Sequence, residues 1–175
     1  MSNVMVPVSS RPKMPEGYGV PKNEEGLLPW SYVVERMTTA RNYWIVTARP
    51  DGTPHAVPVW GVWLDNALYF DTDPATRTGR NFKLNPAATV HLESGDEVVI
   101  IDGRIEGMSD QTVLKRLRRL YKIKYEGKKE SDFADQDDKA AEPDHGMFVL
   151  RPQVVLAWRD FFSTATRWRF EAGKS

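Results

Sequence analysis

The chain has 175 residues with 24 basic and 24 acidic side chains, so its formal charge is zero and bulk attraction to nucleic acid or to anionic membrane is not expected. Hydrophobic content of 41% and charged content of 27% are those of an ordinary globular chain, and no apolar run approaches membrane-spanning length. Cysteine is absent, which excludes disulfides, thiolate nucleophiles and cysteine-ligated metal and fits a reducing, cytoplasmic setting.

Residues 1–26 hold Pro7, Pro12, Pro15 and Pro21 with Gly17, Gly19 and Gly26, and read as an extended or disordered arm ahead of a single domain over 27–172. Leu27–Arg41 has helical spacing at Tyr32, Val33, Met37 and Ala40. Three β-type runs follow, Tyr43–Arg49, His55–Trp63 and Ala67–Thr72, separated by the turn pairs Asp51-Gly52 and Asp65-Asn66. Asp73-Pro74 predicts a helix over Pro74–Leu84, with Asp73 as its cap and Asn85-Pro86 as its stop. Ala87–Glu93 and Glu97–Glu106 read as strands about a Ser94-Gly95-Asp96 turn. Ser109–Tyr125 is a second helix, capped by Ser109, with an apolar stripe at Val113, Leu117, Leu120 and Tyr121. Its remaining basic face reads as a solvated exterior. Gly127–Asp144 is polar and reads as a mobile, lid-like connection. Met147–Leu150, Val154–Trp158 and Thr166–Phe170 return to strand, with Arg151-Pro152-Gln153 as a bend. Strands in meander order with a few helices predict a small antiparallel barrel with flanking helices.

The usual catalytic constellations are missing: no GxSxG elbow, no HExxH, no Walker loop and no dinucleotide glycine fingerprint. His55, His91 and His145 share no metal-ligand spacing, so no metal site is expected. What the sequence offers is a binding surface. Thr72, Arg77, Thr78 and Arg80 group around one strand–helix junction, where arginine forks and a helix N-terminus suit phosphate oxygens. Asn81 falls in the same two turns. The neighbouring Val57-Pro58-Val59-Trp60 can offer backbone groups and an apolar face to a flat ring, and His55 a polar contact. Pro58 cannot donate to a ladder, so it implies an edge, a bulge or a ligand-facing irregularity. The tryptophans Trp44, Trp60, Trp63, Trp158 and Trp168 are either core aromatics or the lining of a pocket or dimer seam. A ring beside a phosphate describes a flavin mononucleotide.

The run ARPDGTPHAVPVWGVWLDNALYFDTDPATRTGRNFKLNPAATVHLESGD resembles the pyridoxamine 5'-phosphate oxidase-like, flavin-binding split-barrel superfamily. The ending AWRDFFSTATRWRF is similar to the chain ends of its general oxidoreductase-like members. The resemblance covers roughly residues 30–106 and 147–170 and lies in the order of elements. It implies a mainly β fold with α, an FMN-binding split β-barrel, and a homodimer holding two flavins in grooves between subunits. It places the isoalloxazine ring beside Val57, Pro58, Val59 and Trp60, largely through backbone atoms. It places phosphate at Thr72, Arg77, Thr78 and Arg80, next to Asn81. Trp158 and Arg167 would reach a cofactor groove, their own or the partner's.

The oxidase has Ser-Arg-Lys where this chain has Thr76-Arg77-Thr78, and it has an arginine and a lysine flanking its second strand where this chain has neither. Its Arg-Leu-Ser-Pro type ending is also missing, so pyridoxamine phosphate is not the expected substrate. The expected function is hydride transfer between FMN and another small-molecule substrate. The alternatives are a reductase using the deazaflavin coenzyme F-420 on the same fold, and a non-catalytic flavin- or haem-binding protein.

Overall fold

The structure, a computed structural model, describes residues 7–133 and 146–170. Nine strands and four α-helices run in the order β1 Val8–Ser10, α1 Trp30–Thr39, β2 Tyr43–Ala48, β3 Pro54–Val59, β4 Val62–Leu64, β5 Ala67–Thr72, α2 Arg77–Leu84, β6 Ala87–His91, β7 Val98–Gly107, α3 Gln111–Glu126, β8 Gly146–Trp158, α4 Phe161–Thr164 and β9 Thr166–Arg169. Every pairing is antiparallel. The main path is β1-β9-β8-β7-β6-β2-β3, with β4 on β5 and β5 on β8. The sheet does not close, so this is a split barrel. The β1 strand, from the proline-rich arm, pairs with β9 and ties residues 8–10 to the barrel.

One strand makes the split. β8 pairs with β7 along its length, with β5 over Gly146–Leu150, and with β9 over Val154–Ala157. The sequence predicts two strands with a bend at Arg151-Pro152-Gln153. The chain instead absorbs Pro152 in a bulge opposite Asp102 and Gly103, and Gln153 bonds onward to Phe170 N at 3.0 Å.

The predicted run His55–Trp63 is likewise not one strand. It breaks at Trp60-Gly61, where the chain stops pairing with β2 and starts pairing with β5. A Cβ on Gly61 would stand 2.9 Å from both Leu68 Cδ1 and Tyr69 O, so only glycine lets the corner lie against β5. Asp65 (φ 50°) and Asn66 (φ 61°) form the left-handed hairpin turn between β4 and β5.

Cross-strand register fixes two faces. The inner face carries Tyr43, Ile45, Phe70, Val90, Ile101, Leu150 and Val155, all fully buried. Each such side chain contributes about 1.5–3 kcal/mol of burial. Helix α1 adds Val33 and Met37 to this core, and Trp30 packs edge-on against Trp168 at 5.5 Å and Phe170 at 5.4 Å. The outer face aligns Pro58, Trp44, His91, Ile100 and Leu156 across five strands, and these side chains stay half-buried or exposed.

Two helix starts differ from the sequence expectation for the same reason, a carboxylate used locally. Asp73 Oδ1 accepts from Ala75 N at 2.7 Å, making a turn, so α2 begins three residues later with Thr76 as its cap. In α3 the cap is Asp110, not Ser109; Asp110 Oδ1 accepts from Thr112 N and Val113 N at 2.8 and 3.2 Å. Of the connection expected to be a lid, Glu130–Phe133 forms a 3-10 turn, while residues 134–145, His145 among them, lie outside the described residues.

Candidate cofactor-binding site

Among the described residues strand β3 has β2 on one side and no strand on the other, so Pro58 stands on a free edge where no ladder bond is lost. Val57 and Val59 oppose Ile45 and Tyr43 and turn their side chains inward. Pro58 opposes Trp44 on the outer face, and Trp60 is 54% exposed. What the strand offers a ring is therefore its backbone edge, Pro58 and the Trp60 indole.

At the start of β3, helix α2 crosses the end of the β2–β3 hairpin. Thr72 ends β5 with its hydroxyl 3.2 Å from that of Thr76. Thr76 Oγ1 donates to Asp73 O and accepts from Gly79 N at 3.1 Å, which closes the first turn of α2. The Asp73-Pro74 turn lies directly on this helix: a Cβ on Gly79 would be 2.7 Å from Asp73 O and from Pro74. Arg77, on the first turn, is exposed and makes no hydrogen bond or ion pair among the described residues. Arg80 turns back, donating from Nη1 to Ala75 O at 2.6 Å.

Thr78 and Asn81 are buried against the sheet. Both are 4% exposed, and Asn81 Nδ2 donates to Thr47 Oγ1 at 3.0 Å. Asn81 thereby pins α2 to β2. His55 opposes Thr47 in the hairpin register. Its imidazole is held below the usual value, first by desolvation and then by the positive fields of Arg77 and Arg49.

Trp158 and Arg167 are not brought to this corner within one chain. Thr72 pairs with Gly146 at one end of β8, and Trp158 is at the other end of that 13-residue strand, roughly 40 Å of extended chain away. Trp158 packs edge-on against Phe161 at 5.3 Å, and Arg167 Nη2 donates to Ser10 Oγ at 3.1 Å.

The sequence reading missed a second structure at the far end of β3. Lys124 of α3 is turned inward, donating to Tyr43 Oη and Gly61 O, each at 2.8 Å, and burial pushes its pKa down to about 8. Tyr125 Oη donates to Arg41 O at 2.7 Å and accepts from Gly61 N at 2.9 Å. The Tyr125 ring stacks on Trp60 at 4.7 Å. Tyr121 Oη donates to Trp60 O at 3.2 Å. Burial raises the pKa values of Tyr43, Tyr121 and Tyr125. Thr76 adds a hydroxyl to this junction; its place one residue before Arg77, with cap chemistry, is the signal for it in sequence.

The pyridoxamine 5'-phosphate oxidase family model matches residues 33–159. The chain belongs to this family. Among proteins with curated functions none matches the sequence. The solved structures it resembles share the fold at low identity. One is a conserved hypothetical protein of Mycobacterium tuberculosis (TM-score 0.64, 17% identity, covering 79% of this chain and 89% of that one). Another is an FAD-binding protein of Mesorhizobium loti (TM-score 0.56, 22% identity, 82% and 96%). A third is an F-420 reductase (TM-score 0.51, 23% identity, 81% and 98%). Among the described residues no helix is long and apolar enough to cross a membrane.

The corner fits an anionic group on one structural ground: Arg49 Nε is buried there and has no hydrogen-bond partner among the described residues.

Proposed function

We propose that this family member is an FMN-dependent oxidoreductase that moves a hydride to or from a small-molecule substrate at a groove between two copies of the chain. The observation that carries the reading is Arg77. It is exposed and unpaired among the described residues, on the first turn of α2, beside the Thr72–Thr76 hydroxyl pair and next to the His55 end of a free strand edge. Arg77 would hold the phosphate with the Thr72 and Thr76 hydroxyls, because a guanidinium fork matches phosphate oxygens. The β3 edge from Val57 to Trp60 would hold the ring, with Pro58 against it and the Trp60 indole at its end. A bound flavin supplies the hydride acceptor or donor, so no protein nucleophile is required.

The second copy enters because the half-buried outer sheet face, from Trp44 to Leu156, calls for a cover, and because Trp158 and Arg167, distant from the corner within one chain, would take part only from another copy. Coenzyme F-420 is the second reading. Its longer anionic tail would use the surplus cations at the corner, Arg80 included.

The test is the absorption spectrum of freshly purified protein, followed by fluorescence titration with FMN and with F-420. Flavin absorbance, or saturable quenching of FMN, is the expected result. Colourless protein that quenches neither compound would overturn the reading. Sedimentation of a monomer in the loaded state would remove the two-copy site.

A further inference from the structure

The hairpin that carries β2 and β3 contributes a cation of its own to the α2 corner. Thr47 is 2% exposed and bonds Asn81, so its face of β2 looks toward α2. Arg49 lies one residue past the end of β2, but its N donates to Thr53 O at 2.9 Å, so the ladder and its alternation of faces run on and Arg49 leaves from the same face as Thr47. His55 stands opposite Thr47 in the antiparallel register and shares that face. Arg77 lies one helical turn before Asn81, on the same side of α2. Three elements thus direct Arg49, His55 and Arg77 toward one place.

Among the described residues neither arginine of that convergence forms an ion pair. Arg49 Nε is shielded from solvent yet has no partner, and Arg77 has none. An unmade bond at a buried donor costs about 1–3 kcal/mol, and more when the group is charged. The nearby carboxylate is Asp51, in the hairpin turn. Its Oδ1 accepts from Thr53 N at 2.9 Å, which with the more distant field of Arg49 holds its pKa below the usual value, but the two make no direct ion pair. The fields of both arginines reach the His55 imidazole.

We infer that Arg49 is an anion-binding residue, completing with Arg77 and His55 a site for the phosphate or carboxylate end of the bound ring compound. The part about the ring rests on the flavin reading above; the anion contact does not. An incoming anion gives the buried Nε its missing acceptor and offsets the positive fields that Arg49 and Arg77 impose on the His55 imidazole.

The experiment compares wild type, Arg49→Gln and Arg49→Lys with three probes: FMN, riboflavin and inorganic phosphate. Riboflavin has the ring without the phosphate. FMN affinity is expected to fall tenfold or more in Arg49→Gln, with riboflavin affinity within twofold of wild type and Arg49→Lys between the two for FMN. Imidazole proton NMR, with His55 assigned through His55→Asn, gives a second readout. Inorganic phosphate alone should raise the His55 pKa in wild type, and by less in Arg49→Gln.

The inference is overturned if Arg49→Gln weakens FMN and riboflavin equally, if it leaves FMN binding unchanged, or if phosphate does not move His55 in wild type. Should Arg49→Gln not fold, the Arg49→Lys comparison and the wild-type phosphate titration decide by the same criteria. Wild type that binds neither FMN nor riboflavin, while phosphate still shifts His55, would remove the flavin reading and leave the anion site standing.

Discussion

The two ends of β3 treat positive charge in opposite ways. At the Trp60-Gly61 end, Lys124 donates to Tyr43 Oη and Gly61 O and lies over the Tyr43 ring at 4.6 Å. At the His55 end, Arg77 has no partner among the described residues and Arg49 Nε is buried without one. A cation fully engaged by its own chain holds the fold. A cation that the chain positions and then leaves unengaged stores binding capacity for something else. The same strand is thus held at one end by α3 and left open at the other, beneath α2.

Substitutions should separate these ends. The largest effect is expected from Gly79→Val, whose side chain would drive into Asp73 O and Pro74 at 2.7 Å. It should cost about 3 kcal/mol in denaturant unfolding, because close-packed backbone cannot yield cheaply. Tyr125→Phe comes next. It removes the hydroxyl that serves Gly61 N and Arg41 O, and should lower stability by about 1–3 kcal/mol. A loss that small changes of buffer anion could offset would mean the clamp is not what holds the corner.

A pH series sharpens the contrast further. Burial pushes the Lys124 pKa down to about 8 from its ordinary 10.5, so between those values the unfolded chain binds more protons than the folded one. Stability should therefore rise from about pH 8 to pH 10. Above about pH 10 it should fall, because buried Tyr43 and Tyr121 ionise more readily in the unfolded chain. Lys124→Met should abolish the rise and keep the fall, as read from thermal melts across pH. A rise that persists in Lys124→Met would assign it to another group.

The fold was legible where the local chemistry decides it. Asp65-Asn66 takes the left-handed turn that such pairs favour, and the helix-period stripes place α1 and α3. What could not be read depends on contacts between distant parts of the chain. The break at Gly61 follows from β5 passing 2.9 Å away, and Lys124 looks like any surface lysine until Tyr43 and Gly61 are seen beside it. The site divided the same way. Thr72, Arg77 and Arg80 are local to one junction, so sequence alone groups them, whatever they bind. Thr78 and Asn81 share that stretch, but the helix phase turns them inward, and a start displaced by the Asp73 turn set that phase. Arg49 carried no signal in sequence, since it lies at a hairpin turn and Arg77 comes from α2, some thirty residues on.

The smallest expected change in stability, and the most direct test, belongs to Arg77→Ala. Because this exposed side chain makes no hydrogen bond or ion pair among the described residues, unfolding should shift by less than about 0.5 kcal/mol. FMN affinity, measured by fluorescence quenching on the same preparation, should fall at least tenfold, the loss of one charge-assisted contact of about 1.5–3 kcal/mol. Undiminished FMN affinity in a folded Arg77→Ala protein would contradict the account.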